Sequence, residues 1–386
     1  MRIGLVVEHL DPSRGGLEHW ASQFVDAMIA RGHELHVFAR SFADHHAILS
    51  LHRHLLRTGP SRTEYAAALQ TQLAMLGLDV IHDTGAGWYC DVYQPHFGSR
   101  AAMTDRKLQM LPPPLRALKR LAVGVLPRYR EFAAIEARQF VNDGRLFVAL
   151  SQKAADDFVV YHGVDRQAIR VVPNGVDCDR YTPENRSRYR DPTRDELGLA
   201  PDTLLLLLIA HNFRLKGLGA AIRVLARLRQ ANRPVHLAVV GGGSPRRYRR
   251  LARSLQVDRS LTFLGPRSES VPFLAAADVL IHPTYFDTCS LVVLEALASG
   301  LPVVSTRATG VDELMTDGRE GFLVARPEET DAMTACLTRL LEPSLRQSMG
   351  LAARQLALQH TFARNCDAVE AVYLEAAARR CNSRAA

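Results

Sequence analysis

The sequence predicts an α/β fold of two doubly wound domains, and three observations carry that expectation. Short apolar runs of strand length alternate with stretches of helical spacing along the whole chain, the pattern of βαβ units around a parallel sheet buried on both faces. The alternation restarts after Pro173-Asn174-Gly175, a turn signal near the midpoint. The chain has 386 residues, enough for two or three domains, with two the commoner outcome.

In the first half, Ile3–Val7 reads as a buried strand. A polar turn with Gly15-Gly16 follows, then a helix over Leu17–Ala30 that Gly32 ends, and a strand over Leu35–Ala39. Glu64–Leu76 is the next helix, stopped by Gly77, and Val80-Ile81 opens a third strand. Residues 100–130 break the pattern: eight Lys/Arg stand against one acid, Asp105, with a Pro112-Pro-Pro114 interruption. Beyond it the sequence predicts one helix to about Asn142, a strand over Leu146–Leu150, a helix capped by Ser151, and a strand over Ile169–Val172.

The second half repeats the grammar. Strands are expected at Leu204–Ala210, Val235–Val240, Leu261–Leu264, Val279–His282, Pro302–Val304 and Gly321–Val324. Helices are expected at Leu218–Arg229, Arg246–Leu255 and Leu291–Ala298, with a short one before Val279 and three more between Glu328 and Arg380.

Composition narrows the function classes. With 47% hydrophobic and 23% charged residues the chain has the balance of a soluble globular protein. Its longest apolar run, Leu204–Ala210, is far short of the ~20 residues of a membrane span. The amino-terminal run meets Glu8, His9 and Asp11 too early for a secretory leader, which predicts a cytoplasmic protein. Six cysteines without a C-x-x-C pair argue against a disulfide scaffold or zinc module and read as reduced thiols. The net charge of +8 is almost all arginine, since only Lys107, Lys119, Lys153 and Lys216 are lysine. That balance favours anionic partners without choosing among them. The Arg246-Arg-Tyr-Arg-Arg250 cluster reads as an exposed helix face, and no nucleic-acid partner is expected.

Several residues could carry chemistry. Gly15 and Gly16 precede a helix, where backbone amides can approach an anion, though a plain turn uses the same residues. Val240-Gly241-Gly-Gly243 lies between a strand and a helix, a seat for pyrophosphate or simply a tight turn. The third glycine of the dinucleotide fingerprint is replaced by Arg246, which points away from NAD. Arg214-Leu-Lys216-Gly217 puts two cations at the carboxyl edge of the second sheet, where they can neutralise a diphosphate leaving group or sit as solvated loop charges. The most specific stretch runs from Asp287 to Val304. Asp287 falls in the loop before a helix starting near Ser290, and Glu295 about a turn inside it. The amides of Ser290, Leu291 and Val292 would point at an anion between the two carboxylates. Carboxylates suit ribose and sugar diols as acceptors.

Asp287-x7-Glu295 followed by Ala296-x-x-x-Gly300-x-Pro302-Val303 resembles the signature of family 4 of the glycosyltransferases. Pro173-Asn-Gly-Val-Asp177, Arg214-Leu-Lys216-Gly217, Val240-Gly-Gly-Gly243, Phe263-Leu-Gly265, Ala275-Ala-Ala-Asp278 and Gly321-Phe-Leu-Val324 extend the likeness over residues 169–355. The first half fits through Gly15-Gly16 and Arg31-Gly-His33. Asp91-Val-Tyr93, Arg128-Tyr-Arg130 leading to Glu136, and Asp179-Arg180 are similar to lipopolysaccharide core glucosyltransferases.

The resemblance implies a GT-B fold, two Rossmann-like domains facing each other across a cleft. The expected division is 1–172, a hinge at 173–180, 181–357, and a helix over 358–386 returning to the first domain. It implies a retaining, metal-independent transfer of a hexose from a nucleotide-diphosphate sugar, UDP-glucose favoured, to a lipid-linked or cell-envelope saccharide, with no cofactor. Donor-binding roles fall to Gly15, Gly16, Arg180, Arg214, Lys216, Gly241, Ser290, Leu291, Val292 and Glu295. His96, after the third strand, and Asp287 stand at the reaction centre. Aspartate replaces the family's usual glutamate at 287, and Ser290 its common glycine. Those departures keep a second reading open, a related protein that holds a nucleotide or saccharide without turnover. The basic, leucine-interleaved stretch 100–130 is expected either to adsorb to an anionic membrane surface on the cytoplasmic side or to form a solvated helical cover.

Overall fold

The structure, a computed structural model, describes residues 1–43 and 51–385, with side chains as far as Arg380. The chain divides into two compact units, Met1–Pro173 with Ala363–Ala386, and Asn174–Phe362.

The first unit runs β1 (Arg2–Val6), α1 (Gly16–Ala30), β2 (Glu34–Ala39), β3 (Leu51–Leu55), α2 (Arg62–Met75), β4 (Val80–Asp83), β5 (Val92–Tyr93), α3 (Arg100–Gln109), α4 (Pro113–Val125), α5 (Pro127–Gln139), β6 (Leu146–Ala149), α6 (Gln152–His162) and β7 (Ile169–Val171). Its seven strands form a parallel sheet in the order β3-β2-β1-β4-β5-β6-β7. Val80-Ile81 thus begins the fourth strand rather than the third. The strand between, β3, is an edge strand in which only Leu51 is buried, so it lacks the apolar run that marks the others. Residues 100–142 form three helices, α3 before the proline run and then α4 and α5 where one helix was expected. Pro113 opens α4 and Pro127 opens α5, each at a first-turn position where the missing N–H costs nothing. Ser151 caps α6 as its sequence position predicts, its Oγ accepting from Ala154 N at 3.2 Å.

The second unit runs α7 (Arg186–Glu196), β8 (Leu204–Ile209), α8 (Leu218–Gln230), β9 (Val235–Val240), α9 (Arg246–Ser254), β10 (Leu261–Gly265), α10 (Val271–Ala276), β11 (Val279–His282), α11 (Leu291–Ala298), β12 (Val303–Thr306), β13 (Gly321–Val324), α12 (Thr330–Arg339) and α13 (Pro343–Ala357). Six parallel strands lie in the order β10-β9-β8-β11-β12-β13. The crossover from β10 back to β11 makes β8 and β11 neighbours, and with them the loops at their carboxyl ends. Helix α7 has no apolar stripe. Buried Asp278 holds it instead, through Arg190 at 2.7 Å and Arg194 at 3.1 Å, and also accepts from Leu205 N at 2.8 Å. On α9, Tyr248 and Ala252 turn inward while Arg246, Arg247, Arg249 and Arg250 are exposed.

The last helix, α14 (Phe362–Ala385), belongs mostly to the first unit. Its Asn365 Oδ1 accepts from Trp20 Nε1 at 2.9 Å, and its Tyr373 hydroxyl is 2.6 Å from His82 Nδ1.

Candidate functional site

In the second unit, two loops at the carboxyl edge of the sheet are locked together by a glycine. Gly217 is left-handed (φ 69°), and a Cβ there would stand 1.8 Å from the Pro283 carbonyl oxygen, so only glycine allows the loop after β8 to close on the loop after β11. Leu215 O accepts from Tyr285 N at 2.9 Å and from Thr284 Oγ1 at 3.2 Å across the same contact. The Asp287 backbone is fixed in turn by the loop after β12, through Ala308 O at 3.1 Å and Gly310 N at 2.9 Å.

This scaffold brings Lys216 and Asp287 together: the Lys216 ammonium donates directly to Asp287 Oδ2. His282, buried at the end of β11, has Nε2 3.5 Å from the same oxygen. Burial alone would push the Asp287 carboxyl up, but Lys216 and His282 hold it well below the usual carboxylate range. Burial lowers the His282 pKa, so the imidazole is neutral at pH 7. The edge therefore carries a lysine ammonium and an ionised carboxylate in direct contact, with a neutral imidazole behind.

Helix α11 starts directly after this pair. Ser290 is its buried N-cap and makes no side-chain cap bond. The first-turn amides of Leu291 and Val292 have no acceptor within the helix. Half-buried Glu295 lies one turn on, where Ser270 Oγ donates to its Oε2 at 3.4 Å. Burial pushes the Glu295 carboxyl up to about 7, against the opposing pull of the Tyr181 hydroxyl and the Arg180 guanidinium. Arg180 itself is paired with Glu269 at 2.7 Å. Arg214 is exposed and makes no ion pair among the described residues. Gly241 donates its N–H to Gly265 O at 2.8 Å, and a Cβ there would be 1.8 Å from Ala210 O; close backbone packing accounts for this glycine.

The remaining candidates lie in the first unit. Gly15 is extended and precedes α1, and exposed Gly16 is the first residue of the helix. His96 is buried against Trp20, ring centroids 4.5 Å apart, and burial takes its pKa down to about 3. A neutral imidazole of that kind offers hydrogen bonds rather than a transferable proton at pH 7. Sequence reasoning did not single out His282, Tyr181 or Ser270 as site residues. His282 had a signal, a polar residue closing an apolar strand before Pro283, whereas Tyr181 and Ser270 reach Glu295 only through tertiary packing.

Two family models match the chain: "Glycosyltransferase Family 4" over residues 14–180 and "Glycosyl transferases group 1" over residues 204–343. The chain is 27% identical to the lipopolysaccharide glucosyltransferase WaaG of Escherichia coli (strain K12), over 89% of this chain and 91% of that protein. It is 32% identical to a D-inositol 3-phosphate glycosyltransferase of Corynebacterium jeikeium, over 64% of this chain and 61% of that protein. A crystal structure of WaaG superposes with a TM-score of 0.81 at 25% identity, covering 96% of this chain and 99% of the other. Anabaena HepE in complex with UDP-glucose shares the fold, with a TM-score of 0.71 at 20% identity over 96% of this chain and 99% of the other.

Proposed function

The chain is a GT-B glycosyltransferase of family 4, and from that premise we propose that it moves a hexose, glucose first, from a nucleotide-diphosphate sugar to a lipid-linked or cell-envelope saccharide with retention of anomeric configuration. The observation that carries the reading is the Lys216–Asp287 pair set against the amino end of α11. A cation and free helix amides suit the diphosphate, and a carboxylate beside them suits sugar hydroxyls. Glucose as the sugar rests on the likeness to WaaG, and uridine as the base is part of the proposal.

In this reading the sugar C1–phosphate oxygen bond breaks, the acceptor oxygen bonds to C1, and the acceptor proton leaves to the departing diphosphate. Lys216 and Arg214 neutralise that diphosphate together with the Leu291 and Val292 amides. Asp287, kept ionised by Lys216, accepts from hydroxyls of the transferred sugar, and Glu295 accepts from the ribose diol with Arg180 beside it. Ser290 and Gly241 shape the backbone on which these groups stand. Gly15, Gly16 and His96 take the donor-side roles that the family resemblance gives them. No step calls on a metal or cofactor.

Helix α4 supports an acceptor met at a membrane surface. None of its residues is buried, and Leu118 (66% exposed), Leu121 (70%) and Val125 (73%) fall with Leu115 on one helical face, while Arg116, Lys119 and Arg120 fall on another. Among the described residues no helix is long and apolar enough to cross a membrane. We propose peripheral association at the cytoplasmic leaflet.

The alternative is a protein that holds a nucleotide or saccharide without turnover, favoured by the shorter Asp287 where the family carries glutamate. Incubation with a panel of nucleotide-diphosphate sugars, with and without lipid-linked saccharide acceptors, separates the two. Acceptor-dependent release of nucleotide supports the transferase, and binding without release supports the alternative.

A further inference from the structure

Strands β2 and β3 carry a histidine-rich cluster that the proposed transfer does not use. The parallel register pairs His36 with His52 and Phe38 with His54, and the two-residue period puts Glu34, His36 and Phe38 on one face of β2. On that face His36 Nε2 is 2.9 Å from Glu34 Oε1, and His52 Nε2 is 3.5 Å from the same oxygen. One ligand atom from each of the three residues lies within 4.8 Å of the other two. The His36 and His52 rings stack at 4.4 Å, and His36 Nδ1 is 3.0 Å from His54 Nε2.

We propose that Glu34, His36 and His52 bind a late first-row divalent cation, zinc first. Two imidazoles and a carboxylate are a zinc donor set, and tetrahedral bonds of about 2.0–2.1 Å place ligand atoms roughly 3.3–3.4 Å apart. Two of the observed separations, 2.9 and 3.5 Å, bracket that value. The cation would take the place of the direct contact between His36 Nε2 and Glu34 Oε1. His54 then accepts from His36 Nδ1–H and fixes the tautomer that leaves Nε2 free to bind, the arrangement that commonly orients a metal-bound histidine. His36 is buried and held, while exposed His52 can turn onto the ion. Arg2 Nε, 3.3 Å from Glu34 Oε1, is the competing cation. With Glu34 the first residue of β2 and His52 the second of β3, the cluster lies toward the amino ends of these strands. Ligands in open α/β sheets bind beyond the carboxyl ends, so this is a site apart from the transfer chemistry.

The test is metal binding by the full, tag-free chain after chelation and desalting. Wild type should take up one equivalent of Zn²⁺ by calorimetry, gain thermal stability with it, and show visible absorption of tetrahedral type with Co²⁺. Glu34→Gln and His52→Ala, both at solvent-accessible positions, should each weaken Zn²⁺ binding by at least about tenfold, and His54→Ala should weaken it by about 10–100-fold through loss of the supporting contact. The metal-free melting temperatures of the variants show that the fold is kept. No Zn²⁺ uptake by wild type at micromolar concentrations, or uptake unchanged in both Glu34→Gln and His52→Ala, overturns the proposal.

Discussion

Lys216 donates to Asp287 although 71 residues separate them, because β8 and β11 are neighbours in the sheet and Gly217 lets one loop close on the other. Each residue sets the other's condition: the ammonium keeps the carboxylate ionised, and the carboxylate holds the ammonium at the amino end of α11.

Asp287→Asn keeps the side-chain size and removes the charge. If Asp287 accepts from the transferred sugar, this variant should lose kcat for transfer by about tenfold or more, the loss of one charge-assisted hydrogen bond. Affinity for the bare nucleotide diphosphate should change much less. Equal losses in transfer and in calorimetric nucleotide binding would place Asp287 away from the sugar.

Glu295 gives a pH signature. Burial raises its carboxyl from 4.5 to about 7, so the free protein is most stable with respect to this group when it is protonated, below pH 4.5. That contribution is lost as pH rises through about 7. A ribose diol donates best to the ionised form, so nucleotide binding should tighten from pH 6 to pH 8. Glu295→Gln should flatten the profile, and calorimetry of both proteins over that range checks it. A wild-type profile unchanged by the substitution would remove Glu295 from the ribose.

The α4 surface predicts salt-sensitive flotation with anionic vesicles. At about 1 kcal/mol per cation near a charged leaflet, three engaged side chains give measurable binding that weakens with ionic strength. Arg116→Gln, Lys119→Gln and Arg120→Gln together should abolish the salt-sensitive part. Leu118→Ser with Leu121→Ser should reduce binding at all salt concentrations. Wild type that stays unbound at low salt would assign the acceptor to solution.

The second sheet was legible because a strand buried on both faces is a nearly continuous apolar run, as in Leu204–Ile209 and in Val235–Val240, which only His236 interrupts. Edge strand β3, with one buried residue, and the two-residue β5 carry no such run. Helix α7 was missed for a different reason: its anchoring is three arginines on Asp278, a tertiary arrangement that no helical periodicity records. At the site, motif spacing singled out Asp287, Glu295 and Lys216 one by one. What it could not give was their partners. His282 behind Asp287, and Tyr181 with Ser270 beside Glu295, depend on strand order and on which loops close together.

If the Lys216 edge acts on the leaving diphosphate, kcat/KM for acceptor-dependent nucleotide release should separate wild type from Lys216→Ala. Loss of one preorganised cation at a developing anion should cost about 3 kcal/mol of transition-state stabilisation, roughly a hundredfold in kcat/KM, measured at a temperature where circular dichroism shows the variant folded. A Lys216→Ala protein that releases nucleotide with wild-type kcat/KM would contradict the account.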